Sequence, residues 1–376
     1  MNNILVYADT DMNIIDGSSI WVVSILKTLA EDRQNNITLL LKTPIFNQTL
    51  IQSVAIFPTI QLVECWEQKN NGKHNLLNHT KKSLSPADAL KRINHLDTEH
   101  NYTTILVRGA NLSPLLLKYR KILSKCIIYH LENGEGDPTI YNRVFPRAKY
   151  IACQTHAIKQ QLIQMKVPPE KLFILPPMVP NFNKNEIVIK RNGKKLIYSG
   201  KLSPQYHTLK IIQAFDHISR KFPDSELLII GAKYYNKPFV SDFQAKVESM
   251  ISENRKIRLF MGQTRERAME LIAKSDVCIS WRNESLNDHL ELSTKLLEYG
   301  SLGKPVIVNR TKVHEQLLGK DYPLFANSFD EFIQKVTISF TNDAIYQKAA
   351  NQMILLSENY TFKEVYRKIC AHFTAE

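Results

Sequence analysis

The sequence predicts an α/β protein made of two doubly wound units, and three observations carry that prediction. Short runs rich in Ile, Val and Leu alternate with amphipathic stretches of helical period, the pattern of parallel strands covered on both faces by helices. The length of 376 residues suits two or three domains, at roughly 100 to 200 residues each. A stretch rich in Pro, Asn and charge, Leu175 to Lys195 (LPPMVPNFNKNEIVIKRNGKK), interrupts the alternation, which then starts again.

In the first half, Ile4 to Tyr7 is a short apolar run bounded by polar residues and reads as a buried strand. A helix from about Ser18 to Leu29 and a strand from Ile37 to Leu41 follow. Glu67 to Ser83 (EQKNNGKHNLLNHTKKS) has too few apolar residues to form a buried element and reads as a mobile surface loop. Ser85, Pro86 and Asp88 mark a helix start: Ser caps free amides, Pro suits the first turn, and a carboxylate suits the positive helix end. Further strands are expected at Thr104 to Val107, Cys126 to His130, Tyr150 to Cys153 and Leu172 to Leu175.

Beyond the interruption, Leu196 to Ser199 reads as a strand, and Leu209, Ile212, Phe215, Ile218 and Phe222 fall at helical spacing. Leu227 to Ile230, Ile257 to Met261, Val277 to Ser280 and Pro305 to Val308 are the next strands, with helices at Phe243 to Ile251, Arg265 to Lys274 and Thr294 to Ser301 between them. Phe362, Val365, Tyr366, Ile369 and Phe373 give a last amphipathic helix. The expected organisation is a first domain over 1–180, a second over 181–352, and a terminal helical segment over 353–376. Ligands of open α/β sheets bind beyond the carboxyl ends of the strands, so the site is expected in a cleft between the two units.

Composition narrows the function class. Hydrophobic residues are 44% and charged residues 23%, which excludes a disordered or collagen-like chain. Lys and Arg number 49 against 36 for Asp and Glu, a net charge of +13 that calls for an anionic partner. The excess divides evenly, 20 basic to 14 acidic residues in 1–180 and 29 to 22 beyond, so no basic tail carries it. The start MNNILVYADTD has no signal-peptide pattern, and no apolar stretch approaches the roughly 20 residues of a membrane span. Five scattered cysteines without CxxC spacing fit reduced thiols better than disulfides or zinc. A cytoplasmic protein is the expectation, with any membrane contact peripheral and at the inner face.

The most informative segment is Trp281 to Asn309 (WRNESLNDHLELSTKLLEYGSLGKPVIVN). A loop leaves a buried strand, Ser293 and Thr294 offer capping hydroxyls, and a helix opens with Lys295 in its first turn. Such a helix start presents unpaired amides and partial positive charge, and the lysine strengthens the attraction for phosphate. Glu298 follows three residues later, where a carboxylate could accept hydrogen bonds from the vicinal hydroxyls of a ribose. A capped helix carrying a Lys–Glu surface pair is the competing reading.

Here the sequence resembles the GT-B glycosyltransferases, more narrowly the retaining family 4 type that uses sugar nucleotides. Glu298 followed by YGSLGKPV is similar to the second Glu of that family's E-x7-E segment and its sequel. The resemblance implies a fold of two Rossmann-like domains facing a central cleft, and a ribose-binding role for Glu298. The first Glu of the pattern would stand at Leu290, with Glu291 one place later as the candidate for the donor-sugar hydroxyls. Tyr198 to Phe215 (YSGKLSPQYHTLKIIQAF) resembles the start of the donor domain, which implies that Gly200 lets backbone approach the ligand and Lys201 meets the diphosphate. Tyr206 and His207 stand where the family's usual second lysine would be, and Lys295 is the candidate to compensate.

The resemblance further implies that Gly262 and Gln263 border the nucleobase, and that His130, at a strand end, touches the transferring sugar. Arg282, just beyond Val277 to Ser280, is placed for a phosphate or sugar. Asp16, Gly17 and Ser18 form the first strand-to-helix turn and can approach donor phosphates or acceptor. Arg108, Glu132 and Glu135 are candidates for the acceptor side.

Asp9 and Asp11 mimic a DxD metal motif, yet no metal ligand is assigned and no cofactor is expected. GxSxG, HExxH, a P-loop and a full GxGxxG are absent from the sequence, as is an RNA-recognition array, so nucleic acid is not an expected partner. The implied reaction is retaining transfer of a sugar from a nucleoside diphosphate, with a uridine donor expected, to a hydroxyl on a glycan or lipid-linked acceptor in cell-surface glycan synthesis. A nucleotide-sugar epimerase and a non-catalytic glycan-binding or coat-associated protein remain as alternatives.

Overall fold

The computed structural model describes residues 2–66, 83–131 and 137–374. The polar stretch Glu67 to Ser83 lies outside them except for Ser83, and so do Glu132 and Glu135. The chain divides into two compact units, one of residues 1–178 with 362–376 and the other of residues 179–361.

The first unit holds seven parallel strands: β1 (Asn2–Ala8), β2 (Asn35–Leu40), β3 (Ile60–Val63), β4 (Thr104–Arg108), β5 (Cys126–His130), β6 (Tyr150–Cys153) and β7 (Leu172–Ile174). Their order is β3-β2-β1-β4-β5-β6-β7, a doubly wound sheet whose direction of construction reverses between β1 and β4. Ile4, Leu5, Val6 and Tyr7 of β1 are fully buried, as a strand covered on both faces requires. The helix Gly17–Leu29 starts where Asp16 accepts from the amides of Ser18 and Ser19, while Ser19 Oγ accepts from the Asp16 amide. The helix Pro86–His100 is capped by Ser85, which accepts from the Asp88 amide. The terminal helix Phe362–Ile369 belongs to this unit, and Phe362, Val365, Ile369 and Phe373 are buried in its core with Trp21, Val22 and Leu26.

The second unit holds five parallel strands: β8 (Lys195–Ser199), β9 (Glu226–Gly231), β10 (Ile257–Met261), β11 (Val277–Ser280) and β12 (Val306–Val308). The order β10-β9-β8-β11-β12 repeats the first five positions of the other sheet, and its switch point lies between β8 and β11. The entry into β8 is pinned by Asp276, which accepts from the amides of Asn192, Gly193 and Lys195 at 2.7, 3.2 and 2.8 Å. The helix Thr208–Lys221 buries Ile211, Ile212, Phe215 and Ile218 on one face.

Helices Phe329–Thr341 and Asp343–Glu358 complete the unit. The latter lies against the helix Thr294–Ser301 so closely that a Cβ at Gly300 would overlap the Met353 carbonyl oxygen and Ser357 Oγ. Ser357 Oγ also donates to the Leu297 carbonyl at 2.8 Å. Backbone therefore meets backbone at this crossing, and only glycine permits it.

Four of the five cysteines are buried, and Cys370 is half-buried. Among the described residues, no helix is long and apolar enough to cross a membrane.

Candidate functional site

At the switch point of the second unit, the loops after β8 and β11 meet the start of the helix Thr294–Ser301. The two loops are tied by the Asn283 amide, which donates to the Gln205 carbonyl at 2.8 Å. Beyond β11 the chain is held by Asn309: its side chain accepts from the Arg282 amide and donates to the Arg282 carbonyl, both at 2.8 Å. Trp281 anchors the same loop, stacked on Phe332 at 4.7 Å between ring centres and beside His207 at 4.2 Å. His207 is thus a packed core residue, and burial holds its imidazole at a pKa of about 4, neutral at pH 7.

Three cations gather in this frame. The Lys295 ammonium lies over the rings of Tyr198 and Tyr206, at 5.3 and 5.4 Å from their centres. The Lys201 ammonium lies 5.9 Å from the Tyr206 ring and 5.6 Å from that of Tyr235, its residue exposed. Arg282 is half-buried, and its Nε is enclosed without a hydrogen-bond partner. Burial lowers the pKa of Lys295 to about 8, with the charges of Lys201 and Arg282 adding to that effect and Glu298 opposing it. Burial likewise lowers that of Arg282, against the opposing influence of Tyr206 and the exposed Glu291.

Gly200 is what gives Lys295 its place. The residue sits at φ +158°, and a Cβ there would overlap the Lys295 ammonium. Backbone and cation can share this spot only because position 200 has no side chain.

Ser293 is the N-cap residue of the helix, but its hydroxyl makes no capping bond; the Leu296 amide instead bonds the Ser293 carbonyl at 3.1 Å. This corrects the expectation of a hydroxyl cap. The amides ahead of Leu296 therefore have no hydroxyl cap from Ser293, and an anion could accept from them.

Glu298, one turn further, is bound by a residue that the sequence reading did not single out. Arg265 Nε donates to Glu298 Oε1 at 3.0 Å, and Arg265 Nη2 lies 3.0 Å from the same oxygen. Both side chains are largely covered, 13% and 17% exposed, so this is an enclosed pair rather than the Lys–Glu surface pair of the competing reading. Arg265 opens the helix Arg265–Ala273 after the turn at Gly262, whose amide donates to the Gly231 carbonyl at 2.8 Å. Gln263, half-buried in that turn, donates from its side chain to the Met261 carbonyl at 2.9 Å. The structure thereby brings Gly200, Arg282, Ser293, Thr294, Lys295 and Glu298 to one end of the sheet. Glu291 stands out on the loop before the helix.

In the first unit, Ala8, Asp9, Ser18, Arg108, Gly109 and His130 are among the residues lining a cavity of about 270 Å³ at the carboxyl ends of β1, β4 and β5. Arg108 Nη1 donates to the Ser18 carbonyl at 2.9 Å and Nη2 to Ser18 Oγ at 3.1 Å, with the guanidinium 4.9 Å from the Trp21 ring centre. His130 is packed edge-on against Phe145 and Tyr141, and burial lowers its pKa to about 4, which leaves a neutral imidazole at pH 7. Gly17 is exposed, with open space where a Cβ would stand. Asp9 pairs with Lys42 at 2.7 Å, and Asp11 accepts from Thr43 Oγ1 at 2.8 Å and from Asn13, so both aspartates of the DxD-like stretch have protein partners. Among the described residues, no group of three or more His, Cys, Asp or Glu side chains could hold a metal ion.

The sequence model of the family described as "Glycosyl transferases group 1" matches residues 180–354, which span nearly all of the second unit. No curated protein matches the sequence. Among solved structures, the chain is similar to HepE of Anabaena, solved with UDP and glucose, at TM-score 0.69 and 12% identity over 99% of both chains. It is similar at TM-score 0.71 and 10% identity to a TarM mutant of S. aureus, solved with fondaparinux, α-GlcNAc-glycerol and UDP, over 100% of both chains. A UDP-GlcNAc 2-epimerase of Neisseria meningitidis, bound to UDP-GlcNAc, matches at TM-score 0.61 and 14% identity over 99% of both. These likenesses show the fold: α/β with two Rossmann-like domains of parallel sheet, as in the GT-B glycosyltransferases.

Proposed function

We propose that this chain is a glycosyltransferase that takes a nucleoside-diphosphate sugar, with uridine the first base to try, and transfers the sugar to a hydroxyl acceptor with retention at the anomeric carbon. The observation that carries the reading is the cluster of Lys295, Lys201 and Arg282 beside the uncapped start of the helix Thr294–Ser301, within the segment that the glycosyl transferases group 1 model matches. Cations and helix-end amides converging beyond a parallel sheet suit a diphosphate, and Glu298 one turn on suits the ribose diol. HepE and TarM, which share the fold, were solved with UDP, which supports a uridine donor.

In this reading the departing diphosphate gathers charge as the sugar bond lengthens, and Lys295, Lys201, Arg282 and the first-turn amides stabilise it where that charge develops. The leaving phosphate helps to remove the acceptor proton, so no side chain serves as a covalent nucleophile. Glu291 and His130 hold the donor sugar, His130 as a neutral imidazole. Gly262 and Gln263 border the base, Gly17 approaches the donor, and Arg108 with Glu132 and Glu135 serves the acceptor. The acceptor is a glycan or lipid-linked molecule, and the basic surface suits peripheral contact with an anionic membrane face. The reaction uses no metal.

A panel of UDP-, GDP-, ADP- and dTDP-sugars, assayed for binding and slow donor hydrolysis with native protein and Glu298→Ala, tests the reading. Selective binding of one donor, with diphosphate release that the substitution abolishes and EDTA leaves intact, supports it. The anomer of the transferred sugar, read by NMR, tests retention. Release of a free epimerised sugar would point to an epimerase instead, and binding of glycans without any donor would point to a non-catalytic protein.

A further inference from the structure

We infer that Arg265 is a positioning residue that sets the ribose specificity of the donor site by holding Glu298. The inference rests on the assignment of Glu298 to the ribose. Arg265 reaches a single carboxylate oxygen with two nitrogens, Nε and Nη2, each 3.0 Å from Oε1. A carboxylate held by one oxygen keeps the lone pairs of Oε2 for a second partner, and the vicinal hydroxyls of a ribose are donors of the right kind. The guanidinium also answers an electrostatic difficulty, since a bare carboxylate close to a diphosphate would repel it. With Arg265 in place, Glu298 enters the site as a neutral pair that still accepts hydrogen bonds.

The origin of the two partners makes the pair a device of geometry. Glu298 comes from the helix Thr294–Ser301, and Arg265 is the first residue of the helix Arg265–Ala273. That helix begins with Thr264, whose side chain accepts from the Arg267 amide and fixes its start. The arginine is thus delivered from the β10 edge of the sheet, outside the Trp281 to Asn309 segment that supplies Lys295 and Glu298. Without it, Glu298 faces Lys295 alone, three residues away on its own helix, and that ammonium would draw the carboxylate toward the phosphate position and away from the sugar.

The test compares affinities for UDP and 2′-deoxy-UDP, by calorimetry, in native protein, Arg265→Met, Arg265→Lys and Glu298→Gln. Hydrogen bonds to a charged acceptor are strong enough that the native chain should prefer UDP by about tenfold or more. Arg265→Met should bring that preference to within about twofold, chiefly by weakening UDP, and Arg265→Lys should restore part of it. A residue that merely supports the fold would weaken both nucleotides alike and leave their ratio unchanged. Should Arg265→Met not fold, the ratio in Arg265→Lys decides: a native preference there overturns the inference and a reduced one supports it.

A native ratio in both arginine variants, alongside a lost ratio in Glu298→Gln, overturns the inference and leaves the ribose assignment standing. A native chain that binds neither nucleotide or does not distinguish them, or a native ratio in Glu298→Gln, overturns the ribose assignment and the inference with it.

Discussion

At the end of β4, Arg108 is held by partners of its own unit: it donates twice to Ser18 and lies over Trp21. Two residues beyond β11, the equivalent strand of the other sheet, Arg282 has its backbone pinned by Asn309 while its Nε is enclosed without a partner. The neighbouring charges repeat the contrast. Lys42 pairs with Asp9 in the first unit, whereas Lys201 and Lys295 in the second rest against aromatic rings. One strand order thus supports two charge designs, one satisfied within the protein and one in which burial, helped by neighbouring cations, pushes a lysine down to a pKa of about 8. Crowded cations of this kind are costly in a protein alone and become favourable when an anion binds.

The largest test of this contrast is at the two glycines. Gly200→Ala strains the backbone at φ +158° in the loop that carries Lys201 and also puts a methyl group on the Lys295 ammonium, so it should weaken UDP binding about a hundredfold by titration calorimetry. Gly17→Ala meets open space and should leave the melting temperature unchanged within about a degree. Next in size, Lys295→Met should cost about thirtyfold in UDP affinity at pH 7.5, the loss of one charge-assisted partner, while the fold survives.

A smaller effect is expected on the other side. Arg108→Met should lower stability by about 1 to 3 kcal/mol, measured by urea unfolding, because the Ser18 groups lose their donors and Trp21 its stacked partner. UDP affinity should be unchanged in that variant. An Arg108→Met protein that folds normally but loses UDP would break the comparison, since the satisfied cation would then be a ligand.

How much of this was legible in the sequence varies with the kind of interaction. Strands buried on both faces, such as β1 and β11, announce themselves as continuous apolar runs, and the Ser85-Pro86-Asp88 start states its own cap. β3 escapes because IQLV lies at the sheet edge, with only Ile60 buried. The helix Phe329–Thr341 is obscured by its Val336-Thr337-Ile338 run, β-branched residues that favour strands in isolation. In the site, Lys295 and Glu298 are readable because they share one segment. Arg265 is not, because its partner lies 33 positions away and an arginine opening a surface helix looks like any other. The role of Gly200 is legible only as an allowance for close approach; that the approaching group is the Lys295 ammonium follows from the packing of two loops.

The central claim, that the crowded edge of the second unit is a diphosphate site centred on Lys295, is tested most directly by titrating UDP into native protein and Lys295→Met from pH 7 to 9.5. Lys295 has its pKa lowered in the folded chain, to about 8, so its charge is present below that pH and lost above it. The account predicts that native affinity falls as pH rises past about 8, with net proton uptake on binding near pH 8.5, because a bound diphosphate favours the charged ammonium. Lys295→Met should bind more weakly and show neither the fall nor the uptake. Equal affinity of the two proteins across the range, with the same pH profile, would contradict it.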